Sequence, residues 1–138
     1  MSTTIVVLYH SSHGSVEAMA HEIVESIEQQ GATALLRTFV AKNPHDIVIS
    51  KDDLVTCDGL AFGTPTRFGM MASQAKTFWE TTSDLWLKGQ LIDKPACVFS
   101  SSSSMHGGNE ATLLNLSLPL LHHGMMLMGV PYDVPVFF

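Results

Sequence analysis

The sequence has little charge, and most of the charge that it has is acidic. Charged residues make up 14% of the 138 residues, with seven Lys or Arg against thirteen Asp or Glu, so the formal net charge is -6. DNA and anionic membranes bind proteins that present clustered basic residues, and this composition argues against both as partners. Because apolar residues reach 46%, the scarcity of surface charge favours burial of part of the surface against another subunit.

Cysteine and long apolar runs are also scarce. Cys57 and Cys97 lie far apart in no CxxC or metal-binding spacing, so we expect two buried free thiols in a reducing compartment. The N-terminus has no basic segment followed by an apolar run, as a secretory signal would have. The most apolar stretch, GMMLMGVPY, is too short to span a bilayer. The sequence predicts a cytoplasmic protein without membrane insertion, and its length predicts one domain over residues 1–138.

The chain is rich in alternating strand and helix patterns. Five apolar runs predict strands: TTIVVLYH, TALLRTF, GLAFGTPT, PACVFSSS and MMLMGVP. Apolar residues at helical spacing follow the first run over 16–27 and the third over 71–82. Residues 40–53 predict a polar excursion, and residues 110–123 a helix that is apolar nearly all round and hence buried, in which Pro119 forces a kink or a restart. The alternation predicts an α/β fold with a parallel sheet covered by helices on both faces. Five strands fit a flavodoxin-like three-layer sandwich in the order 2-1-3-4-5 as well as any other order. In such folds ligands bind beyond the carboxyl ends of the strands.

The loop after the first strand, HSSHGSVE, has the layout of a phosphate-binding loop. Gly14 allows a turn with positive φ before a helix N-terminus, which favours an anion, and Ser11, Ser12 and Ser15 add hydroxyl donors. The loop contains neither Lys nor Arg, and the GxxxxGK[ST] and GxGxxG motifs are absent, so nucleotide hydrolysis and a Rossmann-type dinucleotide site are disfavoured. Neutral donors suit a single terminal phosphate, as in FMN. At this point a Ser-rich turn that only caps the helix fits equally well.

The loop after the third strand, GTPTRFGMM, is the second candidate for ligand contacts. Pro65 makes the turn rigid, and Thr66, Arg67 and Phe68 follow it over the expected crevice. Arg67 is the one basic residue in these loops. It suits stabilisation of a reduced, anionic flavin or of a nicotinamide phosphate, and a surface ion pair is the equally open alternative.

The loop after the fourth strand, SSSSSMHGGNE, is either a flexible low-complexity patch or a backbone cradle. It starts inside a buried strand and ends in Gly107 and Gly108 before a helix, which favours a cradle around a planar ring or its ribityl chain. Glu110 suits the first turn of that helix, a structural role.

The segment LLHHGMM places His122 and His123 side by side. Adjacent residues on a helix point about 100° apart, and no third ligand follows at helical spacing, so no metal site is predicted. The sequence has no GxSxG motif and no Cys–His arrangement, so hydrolase chemistry is disfavoured.

In this order the loops resemble those of the WrbA-type NAD(P)H:quinone oxidoreductases, a flavodoxin-like family once called tryptophan-repressor-binding proteins. The resemblance runs from Ile5 to about Tyr132 and rests on GTPTRFG, MASQAKTFWE, the LW pair before KGQL, VFSS, HGGNEAT and LLHHGM. It implies bound FMN, NADH or NADPH as electron donor, two-electron reduction of quinones and a homotetramer, a dimer of dimers whose sites are built from neighbouring subunits.

Carried over residue by residue, the resemblance implies a set of cofactor contacts. The phosphate contacts would be Ser11, Ser12, His13, Gly14, Ser15 and Val16. The ring and cradle contacts would be Thr66, Arg67, Phe68, Ser101, Ser102, Ser103, Ser104, Met105, His106 and Gly107. His122 would face the ring while His123 points away, and Arg67 and His122 would be the catalytic residues. His13, near the nicotinamide, and Trp86 would lie on the substrate side.

The family continues past the fifth strand with a Gly-Gly-Thr-Pro-Tyr-Gly loop and a final helix, whereas this sequence ends at VPYDVPVFF. We therefore expect that the C-terminal segment, including that helix, is missing from the sequence as given. Intact mass tests this expectation.

The resemblance implies a ping-pong sequence in which NAD(P)H reduces the flavin and leaves before the quinone binds. Two alternatives stay open: a flavodoxin-like electron carrier that is not an enzyme, and a regulatory module that binds a transcription factor. Nothing basic in the sequence would touch DNA directly. An α/β domain whose loops are merely turn-rich would have to account for each of the four loops separately.

Overall fold

The computed structural model describes residues 2–132 and contains one five-stranded parallel sheet in the order β2-β1-β3-β4-β5. The strands are β1 (Thr4–Tyr9), β2 (Thr33–Thr38), β3 (Gly59–Gly63), β4 (Pro95–Phe99) and β5 (Met126–Leu127). The helices are α1 (Ser15–Gln29), α2 (Lys51–Thr56), α3 (Ser73–Glu80), α4 (Ser83–Leu87) and α5 (Asn109–His122). The predicted fold class and strand order are confirmed. The expected loss of a C-terminal segment concerns residues beyond 132, outside the described part of the chain.

Alternate residues of each strand feed two separate cores, as the two-residue period of a strand requires. Val6 and Leu8 of β1 belong to the larger core, which also contains buried residues of α2, α3, α4 and α5. Val7 and Tyr9 belong to the smaller core, which is covered by α1. Helices on both faces make the three layers. All three candidate loops lie at one edge of the sheet because they follow the carboxyl ends of parallel neighbours, β1, β3 and β4.

Two expectations about burial are wrong. Cys57 is buried, but Cys97 is an exposed residue of β4, and the main contacts of α1 are with β1 and β2. Helix α5 is buried on one side only: Leu116 and Leu120 are fully buried, while Leu114 and Leu118 are 71% and 51% exposed. The helix also runs through Pro119 without a restart.

Two elements differ in extent from the expectation. The polar excursion over 40–53 ends in α2, which begins with a capping box in which the Ser50 hydroxyl accepts from Asp53 N and the Asp53 carboxylate accepts from Ser50 N. The sequence SKDD carries that signal. The fifth strand is only Met126–Leu127, and the backbone of Met128 still donates to Ala96 O at 2.8 Å. Gly129 and Pro131 disfavour further extension.

Candidate functional site

The loop after β1 ends in an open helix N-terminus. Gly14 is the N-cap of α1 at φ 101°, a left-handed conformation that favours glycine, and it offers no side-chain cap. The Gly14 N–H donates to Ser11 Oγ at 3.0 Å, so the Ser11 hydroxyl folds the loop back on itself. The first-turn N–H groups of α1 therefore have no side-chain partner and point beyond the sheet edge, where they suit an anion.

Two cations reach this loop from elsewhere in the chain. The Arg67 guanidinium donates from Nη2 to Ser12 Oγ. The Lys42 ammonium donates to the carbonyl oxygen of Ser11. The loop has neutral donors in its own sequence, as predicted, but the tertiary structure adds positive charge on two sides, and sequence reasoning missed Lys42.

The loop after β3 forms a tight two-residue turn. Arg67 and Met70 exchange two backbone hydrogen bonds, with N···O distances of 2.8 and 3.0 Å, and Phe68 and Gly69 between them have φ of 54° and 75°. Two successive positive φ values are typical of a type I′ turn. A bulky residue rarely adopts this conformation, and the Phe68 side chain is also fully exposed. Strain together with an exposed ring is typical of a ligand-contacting turn.

Buried hydroxyls hold the turn in place. Thr64 is fully buried; its Oγ1 donates to Pro65 O at 2.9 Å and accepts from Ala72 N at 3.2 Å. Thr66 Oγ1 accepts from Thr112 Oγ1 at 2.6 Å and from Gly69 N at 3.2 Å. Sequence reasoning missed Thr64 and Thr112. Thr64 lies within the GTPT signature, whereas nothing local marks Thr112.

The loop after β4 packs directly against that turn. Ser100 Oγ donates to Thr64 O at 2.8 Å, and the Thr66 N–H donates to Ser101 O at 3.0 Å. Gly108 approaches so closely that a Cβ there would lie 2.9 Å from Thr66 Oγ1. Gly108 is also the N-cap of α5, at φ 98° and again without a side-chain cap.

The predicted cradle residues form a partly exposed turn. Ser101 and Ser102 are half-buried, and Ser102 Oγ donates to Ser104 O at 2.7 Å. Residues 103–107 are exposed, with Met105 at 90%. His106 pairs through Nδ1 with Glu110 Oε1 at 2.6 Å, and this hydrogen bond lowers the pKa of Glu110.

A large, mostly apolar cavity of about 770 Å³ brings several predicted residues together. Its walls include Ser12, Arg67, Trp86 and His122. The Ser101–Gly107 turn and the residues His13, Gly14 and Ser15 do not line it. His122 ends α5, whereas the turn precedes its start, so about 20 Å of helix separates them at about 1.5 Å per residue.

The cavity wall also contains residues that sequence reasoning missed, and His10 is one of them. His10 is 7% exposed and follows β1 directly. Burial lowers the pKa of His10, and the charges of Lys42 and Arg67 lower it further. The ring is therefore neutral near pH 7. Its place at the carboxyl end of β1 was the signal that could have identified it.

His123 is fixed as one neutral tautomer. Its Nε2 lies 2.8 Å from Thr82 Oγ1, and the Thr82 hydroxyl donates its proton to Trp79 O at 2.7 Å. Because a hydroxyl has one proton, Nε2 of His123 must be the donor, and Nδ1 is left with a lone pair that has no partner within residues 2–132. Burial, and secondly the charge of His122, lower the pKa of His123. Both histidines line the cavity, with His122 exposed and His123 buried.

No helix within residues 2–132 combines the length and apolarity needed to cross a membrane. In the same part of the chain, no three His, Cys, Asp or Glu side chains are grouped so that they could hold a metal ion.

Known proteins resemble this chain over most of its length. The NADPH-dependent FMN reductase family model matches residues 3–132. A protein of Gluconacetobacter diazotrophicus named NAD(P)H dehydrogenase (quinone) is 38% identical over 144 residues, covering 95% of this chain and 72% of the relative. One of the same name from Chromohalobacter salexigens is 41% identical over 146 residues, covering 95% and 73%.

Two solved structures share the fold. A flavodoxin, WrbA-like protein from Agrobacterium tumefaciens superposes with a TM-score of 0.80 at 31% identity, covering 97% of this chain and 82% of that one. A flavodoxin from the domain Archaea has a TM-score of 0.73 at 21% identity, covering 93% and 80%, and shows likeness of fold alone. The fold and its sheet order are therefore those of flavodoxin-like proteins.

Proposed function

The chain belongs to the NADPH-dependent FMN reductase family, and we propose that it is an FMN-dependent NAD(P)H:quinone oxidoreductase with a ping-pong sequence of two-electron steps. One observation carries the proposal. Two helix N-termini without side-chain caps, those of α1 and α5, lie at one edge of the sheet, beside a mostly apolar cavity that contains Arg67 and His122. The relatives named NAD(P)H dehydrogenase (quinone) support both the electron donor and the acceptor.

The residues present fit the phosphate of FMN. The uncapped first turn of α1 leaves backbone donors for an anion, and the positive φ of Gly14 exposes them. We assign the phosphate to this loop, with contacts from Ser11, Ser12, His13, Gly14, Ser15 and Val16. We take residues 1–138 as one flavodoxin-like FMN-binding domain.

The two remaining loops fit the flat ring and the ribityl chain. Thr66, Arg67 and Phe68 lie on a turn that is fixed by the hydrogen bond from Gly69 N to Thr66 Oγ1. The exposed Phe68 side chain suits contact with a ring. The assigned cradle is Ser101, Ser102, Ser103, Ser104, Met105, His106 and Gly107. The hydrogen bond from Thr66 N to Ser101 O joins the two loops.

When bound, FMN supplies the ring that accepts hydride from NADH or NADPH and passes electrons to a quinone. Arg67 places a guanidinium where negative charge develops, on the reduced ring or on the quinone oxygen. His122 is exposed in the cavity, and its imidazole nitrogens can donate or accept a hydrogen bond, so it suits holding or moving a proton at the quinone oxygen. Trp86, 53% exposed, contacts the quinone, and His13 the nicotinamide.

An apolar stripe on α5 that is exposed within the described residues supports a homotetramer, a dimer of dimers. Leu114, Leu118 and Leu121 recur at helical spacing and are 71%, 51% and 52% exposed. If two α5 helices pack antiparallel about a twofold axis, the His122 end of each helix meets the loop end of the other. That arrangement overcomes the separation between His122 and the Ser101–Gly107 turn within one chain.

The sparse cysteines and the acidic surface support a cytoplasmic location.

Flavin fluorescence and turnover in one cuvette test the proposal. FMN is added to the purified apo-protein, and NADH or NADPH is then added with benzoquinone at several fixed concentrations. We expect quenching of flavin fluorescence, quinone-dependent oxidation of the donor, and parallel lines in double-reciprocal plots. Quenching without turnover would contradict the enzyme and favour an electron carrier. No quenching would contradict the flavin site itself, and intersecting lines would contradict only the ping-pong sequence.

A further inference from the structure

We propose that Lys42, from the segment after β2, is a ligand of the FMN phosphate and sets a preference for FMN over riboflavin. This inference rests on the proposed function, because it assigns a further residue to the same cofactor site. The motifs on which the family resemblance rests begin at Gly63, so none of them includes this segment.

The Lys42 ammonium is in direct contact with the phosphate loop. It donates to the carbonyl oxygen of Ser11, and the Ser11 hydroxyl accepts from the N–H of Gly14, the N-cap of α1. The ammonium therefore contacts the same short loop that leads into the uncapped N-terminus of α1. An ammonium has three N–H donors. Within residues 2–132 the Ser11 carbonyl is its one hydrogen-bond acceptor, and no carboxylate forms an ion pair with it, so two donors remain for an anion.

Asp46 positions the backbone that presents Lys42. Its Oδ2 accepts from Lys42 N at 2.8 Å and from Asn43 N at 2.9 Å, and its own N–H donates to Asn43 O at 3.1 Å. These hydrogen bonds hold the pKa of the Asp46 carboxyl below its usual value. The segment is tied to the end of β2 by Thr38 N, which donates to Ile47 O at 2.9 Å. Lys42 is thus held by a closed turn rather than by a free loop.

A second cation lies beside the same loop. Arg67 contacts Ser12, the next residue of the loop. Burial lowers the pKa of His10, and the charges of Lys42 and Arg67 lower it further. A phosphate dianion gains from charge-assisted hydrogen bonds in such surroundings, whereas riboflavin, which ends in a hydroxyl, does not. Because Lys42 is exposed, salt screens this gain.

The test compares the affinities of FMN and riboflavin for the full chain, by fluorescence quenching at low and high salt. The variants are Lys42→Gln, Lys42→Arg and the control Lys51→Gln, which removes an exposed lysine that pairs with Asp84 at 2.9 Å. We expect Lys42→Gln to bind FMN about 10-fold more weakly at low salt and less so at high salt, with riboflavin affinity unchanged. Lys42→Arg retains most of the FMN affinity, and Lys51→Gln matches the unmodified protein.

Each other outcome overturns the assignment in a recognisable way. Equal weakening of both flavins by Lys42→Gln would mean that Lys42 only supports the loop, and an unchanged FMN affinity would mean that it does not touch the phosphate. A protein that binds both flavins equally before any substitution has no phosphate preference for Lys42 to set. Failure to bind either flavin would overturn the proposed function together with the inference, and only that outcome would do so.

Discussion

The hydroxyl of Thr112 on α5 donates to the hydroxyl of Thr66 on the turn after β3, across 2.6 Å. Thr112 is fully buried, and Thr66 also accepts from the N–H of Gly69 inside the strained turn. The helix and the turn are far apart in the chain, so this contact fixes how the two halves of the ring site face each other.

Replacing Thr112 by Val keeps the side-chain shape and removes the donor. We expect a loss of about 1 kcal/mol in the free energy of unfolding, because Thr66 loses a hydrogen bond in a buried place. The affinities for FMN and for riboflavin should fall together, because the substitution affects the part of the site that holds the ring. Urea denaturation and flavin titration measure both effects. Thr56→Val is the control, because the exposed Thr56 hydroxyl donates to Asp52 O on the outer side of α2. Equal losses in the two variants would contradict the role of Thr112.

Replacing Gly108 by Ala combines two costs. The left-handed conformation at φ 98° is unfavourable for alanine, and the new Cβ would lie 2.9 Å from Thr66 Oγ1. Gly31→Ala is the matched control, because Gly31 has φ 81° and nothing within 4 Å of an added Cβ. We expect the control to lose about 1 kcal/mol in the free energy of unfolding, from the backbone conformation alone, and Gly108→Ala to lose more. Equal losses in urea denaturation would contradict close approach of the two loops.

Stability should fall as the solution becomes acidic, partly through His123. The pKa of His123 is lowered below its ordinary value of 6.5 in the folded protein, so the unfolded chain binds protons more readily. The stabilisation is present above 6.5 and is lost as the pH falls through the folded pKa. His10, with a pKa lowered in the same direction, adds to the slope.

The pH effect is measured by thermal unfolding between about pH 5 and 8. His123→Gln should show a shallower loss below about pH 6.5 than the unmodified protein. His21→Gln, which removes an exposed histidine, is the comparison variant. A slope that His123→Gln leaves unchanged would place the coupled proton elsewhere.

A charge on the α5 stripe should break the proposed assembly. Leu118→Glu puts a carboxylate in the middle of the stripe, where an apolar interface would have to desolvate it. Light scattering after gel filtration should show smaller species for this variant. Val40→Glu is the control, since Val40 is 51% exposed, the same fraction as Leu118, but lies outside α5. Retention of the tetramer by Leu118→Glu would contradict the α5 interface.

Subunit complementation tests the two proposed catalytic residues. Arg67→Gln and His122→Ala should each lower quinone turnover by at least about 10-fold when every subunit carries the substitution. If His122 serves the flavin site of a neighbouring subunit, refolded mixtures of the two variants will contain some sites with both groups intact. Such mixtures should regain activity above either pure variant. Activity no higher than the average of the two would contradict a shared site.

Much of this molecule followed from local sequence. The alternation of buried strands with amphipathic helices predicted the parallel sheet, because the two-residue and 3.6-residue periods are local properties of a chain. The strand order is not a local property, and the structure established it. Turn chemistry did the same for the first loop: Gly14 predicted a turn with positive φ and a helix start at the carboxyl edge. The capping box at Ser50 is also a local signal, carried by the segment SKDD, although residues 40–53 were interpreted as a polar excursion.

The tertiary structure alone decided which distant groups meet. Lys42 reaches Ser11, Thr112 reaches Thr66 and Thr82 fixes the tautomer of His123 through contacts between segments that no periodicity links. Burial was decided in the same way. A local pattern does not distinguish the buried from the exposed apolar residues of α5, or the buried Cys57 from the exposed Cys97, because exposure depends on which layer covers each residue. Sequence patterns determine which elements form and where chemistry is possible, because both depend on neighbouring residues. Packing decides which charges and hydroxyls share a site, because that depends on segments brought together only by folding.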